Sequence, residues 1–201
     1  MTTRPAQPSY GQTMVGAAPS DWANSAAVDG DRPPWSDIGL GSTYWKRVSA
    51  NQQELYIKVK QSGTYGQRND DWVLLWGTFS QRVGYASFTD GGGATGTLDL
   101  NVVIPAGAYY VNTLVTDLDD FVGSAVVTFT IGDGTDADRY NTGTPSLAAD
   151  SDYLDVGVPS GTLLHTAAKT VKVTITDDSA FSDISAGAMT ISGFYRGALL
   201  G

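Results

Sequence analysis

Val126, Thr128 and Thr130 alternate with Val127, Phe129 and Ile131, and Val171, Val173 and Ile175 alternate with Lys172 and Thr174. A two-residue period of this kind puts one set of side chains on each face of an extended strand. The pattern predicts strands over residues 97–104, 109–116, 124–131, 152–157, 170–176 and 187–196. Turn signals separate them: Pro105-Ala106-Gly107, Gly132-Asp133-Gly134, Thr142-Gly143-Thr144-Pro145 and Thr176-Asp177-Asp178. Many short strands with regular turn punctuation describe a sandwich or barrel. Residues 80–201 are therefore expected to form a β-sandwich (jelly-roll-like) domain. Within it, residues 180–184 read as a loop carrying core anchors.

Upstream, residues 41–79 read as a small three-stranded β unit. Residues 42–48 form one strand. In Glu54-Leu55-Tyr56-Ile57-Lys58-Val59-Lys60, Leu55, Ile57 and Val59 share one face, while Glu54, Lys58 and Lys60 share the other. Trp72-Val73-Leu74-Leu75-Trp76 is a third, strongly apolar strand. Three such strands bury too little to stand alone, so the unit is expected to pack on something else. The glycine-rich stretch 91–96 opens no helix and has no following lysine, so it is read as a hinge between modules and not as a phosphate loop.

Residues 1–40 lack apolar periodicity and carry Pro5, Pro8, Pro19, Pro33 and Pro34. The same stretch holds Tyr10, Trp22 and Trp35, large apolar groups that a solvated linker seldom exposes. The reading is an extended arm that orders across a partner; an arm packed on its own domain, or a disordered tail, is the alternative. The fold expectation is thus all-β: an extended N-terminal arm (1–40), a small β module (41–79) and a β-sandwich (80–201).

Composition narrows the function. Glycine is frequent, at 24 residues, which suits tight turns and disfavours long helices. The net charge is −9, so phosphate backbones and anionic lipid are both repelled, and neither nucleic acid nor membrane is an expected partner. With no cysteine, disulfides, thiolate zinc sites and a cysteine nucleophile are excluded. No N-terminal apolar run resembles a signal peptide, and no stretch is long enough to span a membrane.

Candidate chemistry is sparse. His165 is the only histidine and has no nucleophile setting around it, so it reads as a loop or strand-end residue. Asp117, Asp119 and Asp120 follow one strand, and Asp133, Asp136 and Asp138 another. The second group distantly resembles an oxygen-rich calcium loop but lacks the closing glutamate, and Asp and Gly are equally ordinary turn residues. No catalytic residue, metal or cofactor is assigned. Tyr44, Trp45, Tyr56, Tyr65, Trp72 and Trp76 crowd into the 41–79 unit, as a core plus interface or as a carbohydrate platform.

Gly41-Ser42-Thr43-Tyr44-Trp45, Leu55-Tyr56-Ile57-Lys58-Val59 and Asp70-Asp71-Trp72-Val73-Leu74 together resemble a β module of tailed-phage virion proteins. Downstream, Ile104-Pro105-Ala106-Gly107 and residues 132–140 are similar to phage sandwich domains. The resemblance covers about residues 41–196. It implies a non-enzymatic capsid decoration (cement) protein, or a head-fibre or tail-fibre component, generally a homotrimer. The implied location is the outer surface of the capsid, after assembly in the host cytoplasm, and the implied partners are the major capsid protein or other virion proteins. Partner contacts are then expected at Tyr10, Trp22, Trp35, Tyr44, Trp45 and Trp72. A carbohydrate-binding module on Trp45, Trp72 or Tyr65 is the rival of another class, and a polysaccharide hydrolase using Asp133 with Asp136 or Asp138 comes last.

Overall fold

The computed structural model describes residues 13–16, 43–58, 72–124, 126–141, 144, 146–147, 153–155 and 164–197. The chain is all-β. Among the described residues the helical pieces are two three-residue 3-10 turns, Tyr85–Ser87 and Phe181–Asp183. Two compact units divide at Gly77/Thr78, inside a strand: Met1–Gly77 with Leu199–Gly201, and Thr78–Ala198.

In the first unit β2 (Thr43–Ser49) and β3 (Gln52–Lys58) form an antiparallel hairpin in which Trp45 faces Leu55. A short strand from the expected arm, β1 (Thr13–Gly16), adds to β2 in parallel, Val15 beside Trp45. That part of the arm thus pairs within its own chain. The neighbour of β3 on its other side is β4 (Trp72–Gly84), which runs well past the predicted 72–76 and on into the second unit. One face of β3 differs from expectation. Gln52 and Glu54 are buried, although the alternation placed Glu54 toward solvent. Glu54 is made tolerable there by the Tyr56 hydroxyl, which donates to its Oε2 at 2.6 Å, and by Lys46 Nζ at 4.0 Å.

The second unit holds two antiparallel sheets, as the sandwich reading requires. One carries β5 (Thr89–Asp90), β6 (Thr95–Ile104), β10 (Lys169–Asp177) and β8 (Val127–Gly132) in that order. In the other, the end of β4 is followed by β11 (Ala186–Gly197), β7 (Ala108–Val122) and β9 (Tyr153–Asp155). The buried positions follow the two-residue period: Leu100, Val102 and Ile104 on β6, Val127, Phe129 and Ile131 on β8, Val171, Val173 and Ile175 on β10. These residues make one core with Met189, Ile191 and Tyr195 of β11. Ile184, after the second 3-10 turn, is the core anchor of the 180–184 loop.

Strand β7 breaks the simple period. Its buried residues run Ala108 and Tyr110, then Thr113 and Val115, then Leu118, then Phe121. Each jump of three coincides with a slip in register against β11, where an extra β7 residue is accommodated. Such bulges flip every following side chain to the other face, and three of them keep a 15-residue strand facing the core while it bends. Asp117 sits in one, with φ of +48°. Asp117, Asp119 and Asp120 therefore lie on the strand, not after it as expected, and Arg82 of β4 reaches two of them, through the Asp117 carbonyl and the Asp119 carboxylate.

The glycine stretch 91–96 is not a hinge between the units. Gly92 and Gly93, both at positive φ, form the turn from β5 to β6, and Gly92 N–H donates to the Asp90 carboxylate.

Candidate functional site

Ionisable chemistry in the second unit concentrates where β8 ends. From Gly132 the chain makes a tight loop that returns to β8: Tyr140 N–H donates to the Ile131 carbonyl, and the Asn141 side-chain oxygen accepts from Ile131 N–H at 2.6 Å. An asparagine thus completes the ladder that the strand alone leaves open. Gly132 has to be glycine, because a Cβ there would lie 2.0 Å from the Asp136 carbonyl oxygen.

Asp133 organises this loop from inside. Its side chain has no solvent exposure. Oδ1 accepts from the Thr135 amide (2.7 Å), the Thr135 hydroxyl (2.6 Å) and the Asp136 amide (3.0 Å). Oδ2 faces Arg139 Nε at 2.9 Å and Lys169 Nζ at 3.5 Å. Burial alone would raise the carboxyl pKa. The Thr135 bonds, the Arg139 guanidinium and the Asp136 amide outweigh it and hold the group at about 2. Oδ1 is thus held by three donors, and Oδ2 is faced by two cations without a hydrogen bond. A calcium ion at this carboxylate would have to displace Arg139 and Lys169, and among the described residues no cluster with metal-ligand geometry occurs.

Beside this loop, and reaching the core, is a ring of hydroxyls and rings. The Tyr110 and Tyr140 rings stack at 4.2 Å. The Thr113 hydroxyl donates to the Tyr140 carbonyl, so the Tyr110 hydroxyl, 2.7 Å away, donates to Thr113 Oγ1. Tyr140 Oη lies 3.3 Å from Nε2 of His165, which is buried. Burial first, and the Arg139 and Lys169 cations with it, hold the imidazole pKa below its usual value against the pull of Asp133. Burial also pushes both phenols upward. A neutral imidazole accepting from a protonated phenol fits those directions. The His165 backbone closes the arrangement, its N–H donating to the Ala108 carbonyl and its carbonyl accepting from Gly107 N–H. The same histidine that read as a strand-end residue is a packed and bonded anchor.

A second buried carboxylate was not singled out by the sequence. Asp177 closes β10 and accepts from the Ser124 amide (2.9 Å), the Ser124 hydroxyl and the Ser179 amide (2.8 Å). These bonds lower its pKa although burial opposes them. No local signal marked it; the crowding of its carboxylate against Gly123, where a Cβ would not fit, exists only in the fold.

Of the residues expected to contact a partner, Tyr44 and Trp45 are on β2 and Trp72 opens β4. Trp45 is half-buried. Tyr10, Trp22 and Trp35 lie outside the described residues. The sequence reading passed over the exposed apolar side chains Val103, Val122 and Val126 of the second unit. Val126 stood in one alternating set with Thr128 and Thr130, Val103 was not singled out, and a lone outward valine carries no signal of its own.

The site and fold define a class: an all-β sandwich protein whose buried ionisable groups are tied into its loops. No protein-family profile matches the chain, and no curated protein does. Solved structures similar to it include two from phage capsids. One is a chain of the cyanophage Pam1 capsid asymmetric unit, 17% identical over 61% of this chain and 85% of that one, at a TM-score of 0.44. The other is a chain of the acidic stable capsid of Helicobacter pylori bacteriophage KHP30, 13% identical over 59% and 93%, at 0.35.

Proposed function

We propose that this is a non-enzymatic structural protein of a phage virion, a capsid decoration protein that binds the outer capsid surface and stabilises the shell. One observation carries the reading. The three pieces of the virion-module resemblance, around Thr43-Tyr44-Trp45, Leu55-Tyr56-Ile57-Lys58 and Trp72-Val73-Leu74, fall on β2, β3 and β4, which are neighbours in one sheet. The likeness to the two capsid structures, both below a TM-score of 0.5, is no part of that support.

In this role the major capsid protein is the partner, and a homotrimer multiplies weak contacts by symmetry. Tyr10, Trp22, Trp35, Tyr44, Trp45 and Trp72 supply the aromatic anchors. The test is co-sedimentation of the protein with purified particles, followed by cryo-EM of the decorated shell. Density on the outer capsid surface is expected; absence from the particles, or density on a fibre or the tail, sinks the decoration role.

Trp76, 45% exposed on β4, favours one second reading, a carbohydrate-binding module with an aromatic platform. A glycan array separates the two, since a decoration protein gives no sugar signal.

A further inference from the structure

We propose that β1 is an exchange strand, which in the assembled protein pairs with the β2 edge of a second copy of this chain. β1 (Thr13–Gly16) stands first in the sheet order, so among the described strands its one neighbour is β2. Four residue pairs join the two, from Thr13 opposite Thr43 to Gly16 opposite Lys46. Every copy carries the same β2 edge with the same register. A neighbouring copy therefore offers β1 an acceptor that fits it as its own chain does.

Connectivity leaves the acceptor open. β2 and β3 are joined through Ala50 and Asn51, a turn too tight for those strands to come from different copies. β1 and β2 run parallel, and a parallel pair cannot be closed by such a turn. Residues 17–42 separate them, 26 positions that span roughly 90 Å when fully extended. A domain of about 120 residues is roughly 35 Å across, so a link of that length reaches the β2 edge of an adjacent copy. No turn geometry ties β1 to the β2 of its own chain.

The inference rests on the homotrimer of the proposed function and names a contact that holds it together. Passing β1 from each copy to the next keeps all four pairs per chain, so exchange gives up none of the pairing made within one chain. It turns that pairing into contact between chains. The contact is head-to-tail, β1 of one copy against β2 of the next, and such contacts close into a ring of three without a two-fold axis. Copies held side by side present their β2 edges to one another at high local concentration, so separation of the chains no longer opposes the exchange.

The chain has no cysteine, so an introduced pair reports on this contact alone. Thr13→Cys and Thr43→Cys, opposite each other in register, are placed together in the full-length protein, which is then oxidised. The expected product on a non-reducing gel is a covalent trimer at three times the 21.1 kDa chain mass, returned to single chains by reduction. A chain bonded within itself, in a protein that light scattering shows to be a trimer, overturns the exchange and leaves the homotrimer standing. A monomer by light scattering removes the homotrimer and the exchange with it. A covalent product that stops at two chains also overturns the proposal. Where the first pair unfolds the protein by circular dichroism or stays reduced, Met14→Cys with Tyr44→Cys, the next pair in register, repeats the measurement. A folded protein that bonds through neither pair has β1 away from β2, which overturns it. Particle binding enters none of these readouts, so they stand apart from the co-sedimentation result.

Discussion

Arg139 Nε lies 2.9 Å from Oδ2 of Asp133, a carboxylate with no solvent exposure, and that pair closes the loop after β8 on itself. Removing one partner strands the other as an uncompensated buried charge, which costs about 3–5 kcal/mol when nothing replaces it. Lys169 remains 3.5 Å away after Arg139→Met, so the loss there is expected at the low end, about 3 kcal/mol. Urea unfolding measures it. A change below about 0.5 kcal/mol would show that the pair does not hold the loop.

Asp133 also sets an acid limit. Its folded pKa of about 2 lies below the ordinary 3.8, so its stabilisation is complete above pH 3.8 and disappears as pH falls toward 2. The difference is worth about 2 kcal/mol. Asp177, also lowered, acts in the same direction. In Asp133→Asn the slope of stability against pH between about 4 and 2 should flatten relative to wild type. An unchanged slope contradicts the assignment.

His165 governs a higher window. Its folded pKa is depressed, so the unfolded chain takes up the proton first. Stability should hold above pH 6.5 and decline as pH drops below it, down to the folded value. Because the chain has one histidine, His165→Gln should remove that decline alone and leave the carboxylate window in place. Thermal midpoints across the two windows distinguish the outcomes.

A Cβ at Gly193 would lie 2.3 Å from the Phe79 ring and 2.4 Å from the Tyr110 hydroxyl, both buried. Gly193→Ala therefore overpacks the core between β4, β7 and β11, with an expected loss of about 1–3 kcal/mol in chemical denaturation. Gly134→Ala, with open space at its Cβ, is the control and should stay within about 0.5 kcal/mol.

Most strands of the second unit were legible in the chain. The alternation in 126–131 and 171–175 named the buried residues of β8 and β10, because a half-buried strand must repeat every two residues. The same rule misjudged β3, where Gln52 and Glu54 are covered by structure that a local pattern does not contain. It also ended β7 six residues early, since each bulge breaks the period on which a strand is recognised. The candidate site divided in the same way. Asp133, Asp136 and His165 stood out by residue type, but only packing showed that Asp133 answers Arg139 and Lys169, 36 residues apart from the latter in sequence.

The amino-acid order by itself determined the fold class, the strand-and-turn rhythm and the inward faces of β8 and β10, all of which arise from contacts a few residues apart. Tertiary structure decided which strands lie side by side, where β7 slips, and that the acidic loop binds its own cations. Those features depend on groups distant in the chain, and no local period encodes which of them will meet.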